Sequence, residues 1–292
     1  IAEGCDKHCT YCIIPKLRGN YRSVPMERLV KEAEDLAKQG VKELILVAQE
    51  TTVYGQDLYG EKSLPRLLRE LCKIQGIWWI RLLYCYPEEV DEELIRVMKE
   101  EQKICHYIDL PIQHASDEIL KRMGRRTSRA ELVEIIGKLR EAIPDIAIRT
   151  TLITGFPGET KEQHKELLEF INDMEFDRLG VFTYSPEEGT PAAAMEHQID
   201  EEVKLDRQAE LMELQQDISA ELGERRIGQE LLVMIEGKVA DEDAYVGRSQ
   251  ADAPGVDGYV FVNTPETLVS GDFVRVKITG AVEYDLIGEI SQ

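Results

Sequence analysis

Between residues 41 and 184 the sequence alternates short β-rich apolar runs with amphipathic stretches, and this rhythm limits the fold more than any other feature. The runs are ELILVA (43–48), WWIRLLY (78–84), YIDLPI (107–112), IAIRTTLIT (146–154) and LGVFTY (179–184). Around and between them, apolar residues recur at helical spacing. This predicts helices over residues 26–39, 63–73, 91–101, 129–142 and 161–174. Strands that alternate with helices form parallel βαβ units, so the predicted class is α/β.

A second region begins after residue 200. The sequence predicts a long charged helix over residues 200–226, and beyond Gly228 the apolar period changes to two. Turn signals then recur, as at Pro254-Gly255 and Asp257-Gly258. Four or five short strands in roughly 65 residues are typical of a small β-barrel or sandwich. We therefore predict two domains, residues 1–224 and residues 225–292.

Three cysteines crowd into the first twelve residues. Cys5, Cys9 and Cys12 form a C-x-x-x-C-x-x-C triplet, whereas the other three of the six cysteines are scattered. Three close thiolates can bind three irons of a four-iron four-sulfur cluster and leave the fourth iron open. The alternative is a zinc site completed by His8 or a remote cysteine. The chain is too long and too poor in cysteine for a secreted disulfide framework, which favours a reducing compartment such as the cytoplasm.

The net charge of the chain indicates which classes of binding partner it can attract. The sequence has 35 Lys and Arg residues against 56 Asp and Glu residues, a formal net charge of −21. Because phosphate repels an acidic surface, this argues against loose nucleic-acid binding and permits either a basic protein partner or simple solvation. Two basic segments stand out, at residues 16–22 and 121–129. A solvated face or pairing at a helix end is the default interpretation of both, and the alternative is a contact to substrate or cofactor, particularly for Arg18. No apolar run approaches the ~20 residues that span a membrane.

Polar residues follow the predicted strands, at the end where parallel βα barrels build their sites. They include Gln49, Glu50, Gln113 and the turn from Gly155 to Glu159. Gln49 and Glu50 could equally be ordinary loop residues, and Gln113 could satisfy backbone groups. Arg149 lies within an apolar strand and therefore needs a partner, for which an internal Asp or Glu is one candidate.

The triplet with Tyr11 before its third cysteine resembles the signature of radical S-adenosylmethionine enzymes. The resemblance implies a partial (β/α)6 barrel related to TIM barrels, in which the open iron chelates the amino and carboxylate groups of S-adenosylmethionine. Reductive cleavage then gives methionine and a 5′-deoxyadenosyl radical. It also implies cofactor-binding roles for Tyr11 in the cysteine loop and for residues along the strand ends. These are Gln49 and Glu50 at the methionine amino group, Gln113 at the ribose and carboxylate side, Arg149 at the carboxylate, and Gly155 and Glu159 in the adenine-binding turn.

Within that superfamily, the order of GCDKHCTYCIIPKLRG, LPIQHASDEILKRMGR, TGFPGET and YSPEEGTPAA resembles the methylthiotransferases, and the C-terminal region resembles their TRAM domain, an OB-like β-barrel. Family targets are an aspartate β-carbon of ribosomal protein S-twelve and adenosine in tRNA. The segment QHASD (113–117) and a net charge of −6 over residues 225–292 favour the basic ribosomal protein over tRNA. A non-catalytic metal-binding module is the third possibility.

The resemblance also implies a further domain, a second cluster and an electron donor. Family members carry an N-terminal domain with a second iron–sulfur cluster, which this sequence lacks. We therefore expect one cluster here, and sulfur insertion that does not go to completion. An electron donor such as flavodoxin or ferredoxin is implied as a partner.

Overall fold

The computed structural model describes residues 1–291, and the strands within them form three sheets. In chain order the strands are β1 (Ala2–Glu3), β2 (Arg22–Ser23), β3 (Glu43–Leu46), β4 (Trp79–Leu82), β5 (Ile104–Asp109), β6 (Ala147–Thr154), β7 (Arg178–Thr183), β8 (Glu230–Lys238), β9 (Ala244–Ser249), β10 (Val260–Asn263), β11 (Phe273–Val282) and β12 (Asp285–Ile290). The helices are α1 (Ile14–Arg18), α2 (Met26–Lys38), α3 (Gln56–Tyr59), α4 (Leu64–Cys72), α5 (Glu92–Glu100), α6 (Asp117–Arg122), α7 (Arg129–Ala142), α8 (Lys161–Met174) and α9 (Glu201–Glu224). Every one of these helices is too short or too polar to span a lipid bilayer.

The central sheet has the order β3-β4-β5-β6-β7, and all its strands are parallel. The five strands predicted from the apolar runs are all present, which confirms the α/β class and a parallel sheet of the partial-barrel type. The main apolar core lies between this sheet and the surrounding helices. The first strand, β1, pairs antiparallel with β2 and stays outside the parallel sheet. The terminal amine of Ile1 nevertheless donates to the Val47 carbonyl oxygen (2.9 Å), so the chain enters beside the end of β3.

Helix starts follow local capping signals. Ser128 and Glu131 form a reciprocal capping box at the start of α7, and Thr160 and Gln163 form another at the start of α8. Each box satisfies backbone N–H groups that the first helical turn leaves without partners. Both helices consequently occupy the predicted residues.

The C-terminal region closes into a five-stranded barrel with the order β10-β12-β11-β8-β9. Alternate side chains such as Val233, Val260, Val262 and Val276 fill its interior, as the period of two predicts. The small OB-like barrel expected after the long helix is thereby confirmed. The preceding helix, α9, packs against β7 and then against β11, and so links the two regions.

The segment that follows β9 meets the inner face of the parallel sheet, the face that carries Arg81, Tyr107, Arg149 and Arg178. Arg81 Nη1 donates to the Gln250 carbonyl oxygen (2.7 Å), and Tyr107 Oη donates to Asp257 (2.7 Å). Arg178 Nε donates to Asp252 (3.1 Å). The segment that follows β9 therefore covers the part of the inner face that carries these side chains.

Candidate functional site

The three cysteines lie in the loop between β1 and α1. Cys5 and Cys9 are buried, Cys12 is partly buried, and all three are free thiols. Gly4 begins the loop at φ +81°, where a Cβ atom would stand 2.2 Å from the backbone oxygen of Asn20. Only glycine combines this backbone angle with so close an approach. Thr10 N donates to the Met123 carbonyl oxygen (2.9 Å), which fixes the middle of the loop.

The electrostatics of the loop favour a positively charged ligand. Burial, together with the neighbouring Cys9 and Cys12, raises the pKa of Cys5 to about 11. Burial also raises the pKa of Cys12. A metal centre reverses both effects, because it stabilises the thiolate directly.

The donor set fits an iron–sulfur cluster. Over residues 1–291, no three His, Cys, Asp or Glu side chains converge closely enough to hold one metal ion. A four-iron cluster does not need such convergence, because each thiolate binds a different iron. The side chain of His8 is exposed. Cys85 and Cys105 lie in apolar clusters, where a free cysteine packs as a small buried hydrophobic residue.

A cavity of about 410 Å³ opens beside Cys5, lined by Tyr21, Glu50, Asp57 and Arg126 among others. Glu50 is 1% exposed, and burial raises the pKa of its carboxyl group to about 7. Its Oε1 accepts a hydrogen bond from Thr52 N (3.0 Å), whereas Oε2 has no partner among the described residues. A buried carboxylate oxygen without a partner, on the wall of a cavity, is suited to a ligand ammonium group.

Gln49 and Gln113 occupy two of the strand ends. Gln49 accepts a hydrogen bond from Gly4 N through Oε1 (2.7 Å), so it holds the start of the cysteine loop. Gln113 has φ +71°, an uncommon value for a non-glycine residue, and its backbone pairs with Thr151 and Ile153 of β6. Its side-chain oxygen is buried without a hydrogen-bond partner in residues 1–291.

Glu159 organises the turn after β6. Its Oε2 accepts hydrogen bonds from Gly155 N (2.7 Å) and Phe156 N (3.1 Å), and its Oε1 accepts one from Arg207 Nη1 (2.8 Å). Glu159 is 2% exposed, so its carboxylate shapes the backbone of the turn. Gly155, at φ +71°, faces the side chain of Lys204, which a Cβ atom would approach to 2.3 Å. The glycine here makes room for the lysine.

Arg149 is not brought together with the cysteines. Its Nη1 donates to Asp109 (2.8 Å), and its Nε lies 3.4 Å from Asp257 of the C-terminal barrel. The internal carboxylates are thus the partners the structure provides. The methionine-carboxylate role that the resemblance implied for Arg149 stays a prediction, and in this structure its guanidinium lies on the inner face beside Asp109 and Asp257.

Tyr11 packs with Ile119, Met123, Phe156 and Tyr184 in a small apolar cluster beneath the cysteine loop. Burial, together with the neighbouring Cys9, raises its pKa well above the ordinary tyrosine value. The tyrosine therefore stays protonated and joins the loop to the turn that Glu159 organises.

Two residues of the site were not predicted from the sequence. Tyr21 lines the cavity beside Glu50, and no spacing signal marks it. Arg125 belongs to a basic segment interpreted as a solvated face, yet it is buried close to Cys9. No apolar periodicity marks Arg125 in the sequence, because Gly124, Arg126 and Thr127 surround it.

Comparison with known proteins places these observations in a family. The radical SAM superfamily matches residues 1–171, and the TRAM domain matches residues 227–290. Ribosomal protein uS12 methylthiotransferase RimO of Lachnoclostridium phytofermentans is 66% identical over 288 residues, 99% of this chain and 66% of that protein. RimO of Desulfitobacterium hafniense is 54% identical over 100% of this chain and 65% of its own length. The chain thus spans just under two thirds of these relatives.

Solved structures support the fold alone. The radical S-adenosylmethionine methyltransferase TsrM of Kitasatospora setae, with cobalamin and a [4Fe-4S] cluster bound, aligns with a TM-score of 0.53 at 18% identity. The alignment covers 82% of this chain and 41% of that one. Methylornithine synthase (PylB) aligns with a TM-score of 0.52 at 16% identity, over 73% of this chain and 60% of that one.

Proposed function

The chain belongs to the radical SAM superfamily, and from this membership we propose that Cys5, Cys9 and Cys12 hold a four-iron four-sulfur cluster beside a site for S-adenosylmethionine. The observation that carries the proposal is the cysteine triplet, with Cys5 and Cys9 buried and Cys12 partly buried, next to the cavity lined by Glu50. Bound there, the cluster supplies one electron for the reductive cleavage of S-adenosylmethionine.

The protein's own residues bind the cofactor, orient it and shield it. Gln49 fixes the cysteine loop through Gly4, and Glu50 offers its free carboxylate oxygen to the amino group of the cofactor. Glu159 fixes the turn for the adenine side, and we assign it a positioning role. Gln113 supports the neighbouring strand end. None of these side chains has to move a proton, because radical chemistry at carbon can proceed without a protein acid or base.

We propose that the whole protein is a methylthiotransferase that adds a methylthio group to the β-carbon of an aspartate in ribosomal protein uS12. The relatives described above are named for that activity. Charge supports a basic protein partner, since the hairpin between β8 and β9 exposes Asp241, Glu242 and Asp243. We retain the domain boundary after Glu224, and we place the protein in the cytoplasm with a flavodoxin or ferredoxin as electron donor.

The cofactor proposal is tested by anaerobic reconstitution. We expect about four irons and four sulfides per chain, and cleavage of S-adenosylmethionine to 5′-deoxyadenosine under strong reductant. The Cys5→Ala, Cys9→Ala and Cys12→Ala variants should lose both, whereas Cys72→Ala, a substitution at the end of α4 outside the triplet, should keep them. A colourless protein that binds zinc in the same loop would overturn the proposal.

The partner proposal is tested by a binding comparison at physiological salt. We expect the acidic chain to retain ribosomal protein uS12 in preference to tRNA, because phosphate charge is repelled where lysine and arginine are attracted. Tight binding of tRNA, with weak or absent binding of the ribosomal protein, would move the substrate to RNA.

A further inference from the structure

The structure holds an arginine without adequate charge compensation directly behind the cysteine loop. Only 1% of the Arg125 side chain is exposed. Its Nη2 donates to the Pro111 carbonyl oxygen (3.0 Å), but Nε and Nη1 have no hydrogen-bond partner within residues 1–291. The nearest carboxylate is that of Glu88, with Oε2 at 3.9 Å from Nη2. This oxygen is also occupied by a hydrogen bond from Thr127 Oγ1 (2.7 Å).

A buried cation is costly unless a partner and hydrogen bonds compensate it. Part of the compensation comes from Tyr86, because the Arg125 guanidinium lies 4.1 Å from the centre of the Tyr86 ring. Two nitrogen atoms of the guanidinium, Nε and Nη1, remain without a hydrogen-bond partner within residues 1–291. They indicate that a further negatively charged group is to be expected near Arg125.

The backbone fixes this arginine against the loop that carries the triplet. Thr10, between Cys9 and Cys12, donates from its Oγ1 to the Arg122 carbonyl oxygen (2.8 Å) and from its N to the Met123 carbonyl oxygen (2.9 Å). Gly124 then allows close approach, since a Cβ atom there would stand 3.1 Å from the His8 oxygen. The position of Arg125 relative to the loop is therefore set by main-chain contacts.

Tyr86 joins the arginine to the nearest thiol. Its hydroxyl group lies 3.6 Å from Cys9 Sγ, and its ring lies under the Arg125 guanidinium. One aromatic ring thus separates the permanent positive charge of Arg125 from Cys9, and because the site is buried the charge acts on the cysteine loop with little screening by solvent.

We propose that the buried positive charge of Arg125 sets the reduction potential of the cluster held by Cys5, Cys9 and Cys12. This inference rests on the cofactor proposal above. Three thiolates leave the cluster with a net negative charge, and reduction adds one more electron. A buried permanent cation stabilises the reduced form more than the oxidised form, and so makes the cluster easier to reduce.

The test is a potentiometric titration of the reconstituted chain without S-adenosylmethionine, followed by electron paramagnetic resonance. For Arg125→Met we expect the ratio of reduced to oxidised cluster at a fixed potential to fall about tenfold, a shift of about 59 mV to more negative potential. Arg125→Lys keeps the charge and should change the ratio by less than about threefold. Glu88→Gln removes the opposing charge and should shift the potential in the positive direction.

Iron and sulfide contents are measured in parallel. If the cofactor proposal fails, the parent chain itself holds no cluster, and this result is distinct from a failure of the Arg125 inference. The inference is overturned if Arg125→Met keeps the parent potential with a full complement of iron. It is also overturned if the Lys and Met variants shift the potential equally, since that would indicate packing. Should the Met variant lose its cluster, an unchanged potential in Glu88→Gln would overturn the inference.

Discussion

Replacement of Glu50 by Gln should stabilise the cofactor-free chain while it weakens cofactor binding. The carboxyl group is buried, one oxygen has no partner, and its pKa lies at about 7 against 4.5 for a free glutamate. Desolvation is the main cause, and the hydrogen bonds from Thr52 and the charge of Lys7 offset it only in part. Ionised Glu50 therefore costs folding free energy that a neutral amide of the same shape does not.

The size and sign of the effect follow from linkage. Between pH 4.5 and pH 7 the folded chain binds more protons at Glu50 than the unfolded chain does, so this group lowers the unfolding free energy as the pH rises. At 1.36 kcal/mol per pKa unit, the full cost is about 3 kcal/mol above pH 7. We expect the advantage of Glu50→Gln over the parent to be below about 1 kcal/mol near pH 5 and to approach about 3 kcal/mol at pH 8.

The assay is denaturant unfolding of the cofactor-free, reduced chain from pH 5 to pH 8, followed by circular dichroism. Glu89→Gln is the matched control. The pKa of Glu89 is lowered, with hydrogen bonds from Lys62 and Lys7 opposing its burial, so this control should destabilise the chain at neutral pH. A Glu50→Gln curve that runs parallel to the parent at every pH would refute the reasoning. Unchanged binding of S-adenosylmethionine to the reconstituted variant would refute the assigned role.

Two further substitutions test the architecture. Gly4→Ala places a methyl group against a backbone oxygen that cannot move away, so we expect displacement of Cys5 and at least a twofold loss of bound iron. Gly40→Ala, also at positive φ but with open space around it, should keep its iron. Arg178→Met leaves buried Asp252 without its cation and should lower the unfolding free energy by about 3–5 kcal/mol. Most of this loss should return when Asp252→Asn is added, as measured by the denaturant midpoint.

The parts of the fold that could be predicted from the sequence are those specified by local signals. Capping residues fix α7 and α8, and they lie within four residues of the helix starts that they determine. The strand predicted over residues 107–112 is instead Ile104–Asp109. Pro111 lacks a backbone N–H and cannot continue a ladder, whereas Ile104 and Cys105 are buried and extend the strand at its other end.

The site was predictable where chemistry requires a fixed spacing, as in the cysteine triplet. It was not predictable where partners come from distant parts of the chain. Arg125 is covered by Tyr86 and Pro111, and Arg149 is paired with Asp257 from the other barrel. The binding roles predicted for the remaining strand-end residues stay predictions. For Glu159, the observed contacts are hydrogen bonds to the backbone of its own turn.

The acidic side chains of the C-terminal barrel divide into two sets according to what they face. Asp252 and Asp257 are buried and compensate Arg178 and Arg149 on the inner face of the parallel sheet. With buried Arg248 also set aside, ten acidic and five basic side chains remain over residues 225–292. The internal pairs therefore do not account for the acidity of this region. Only these remaining side chains, outside the buried pairs, can act on a partner. Their net charge is negative, whereas binding to phosphate requires positive charge.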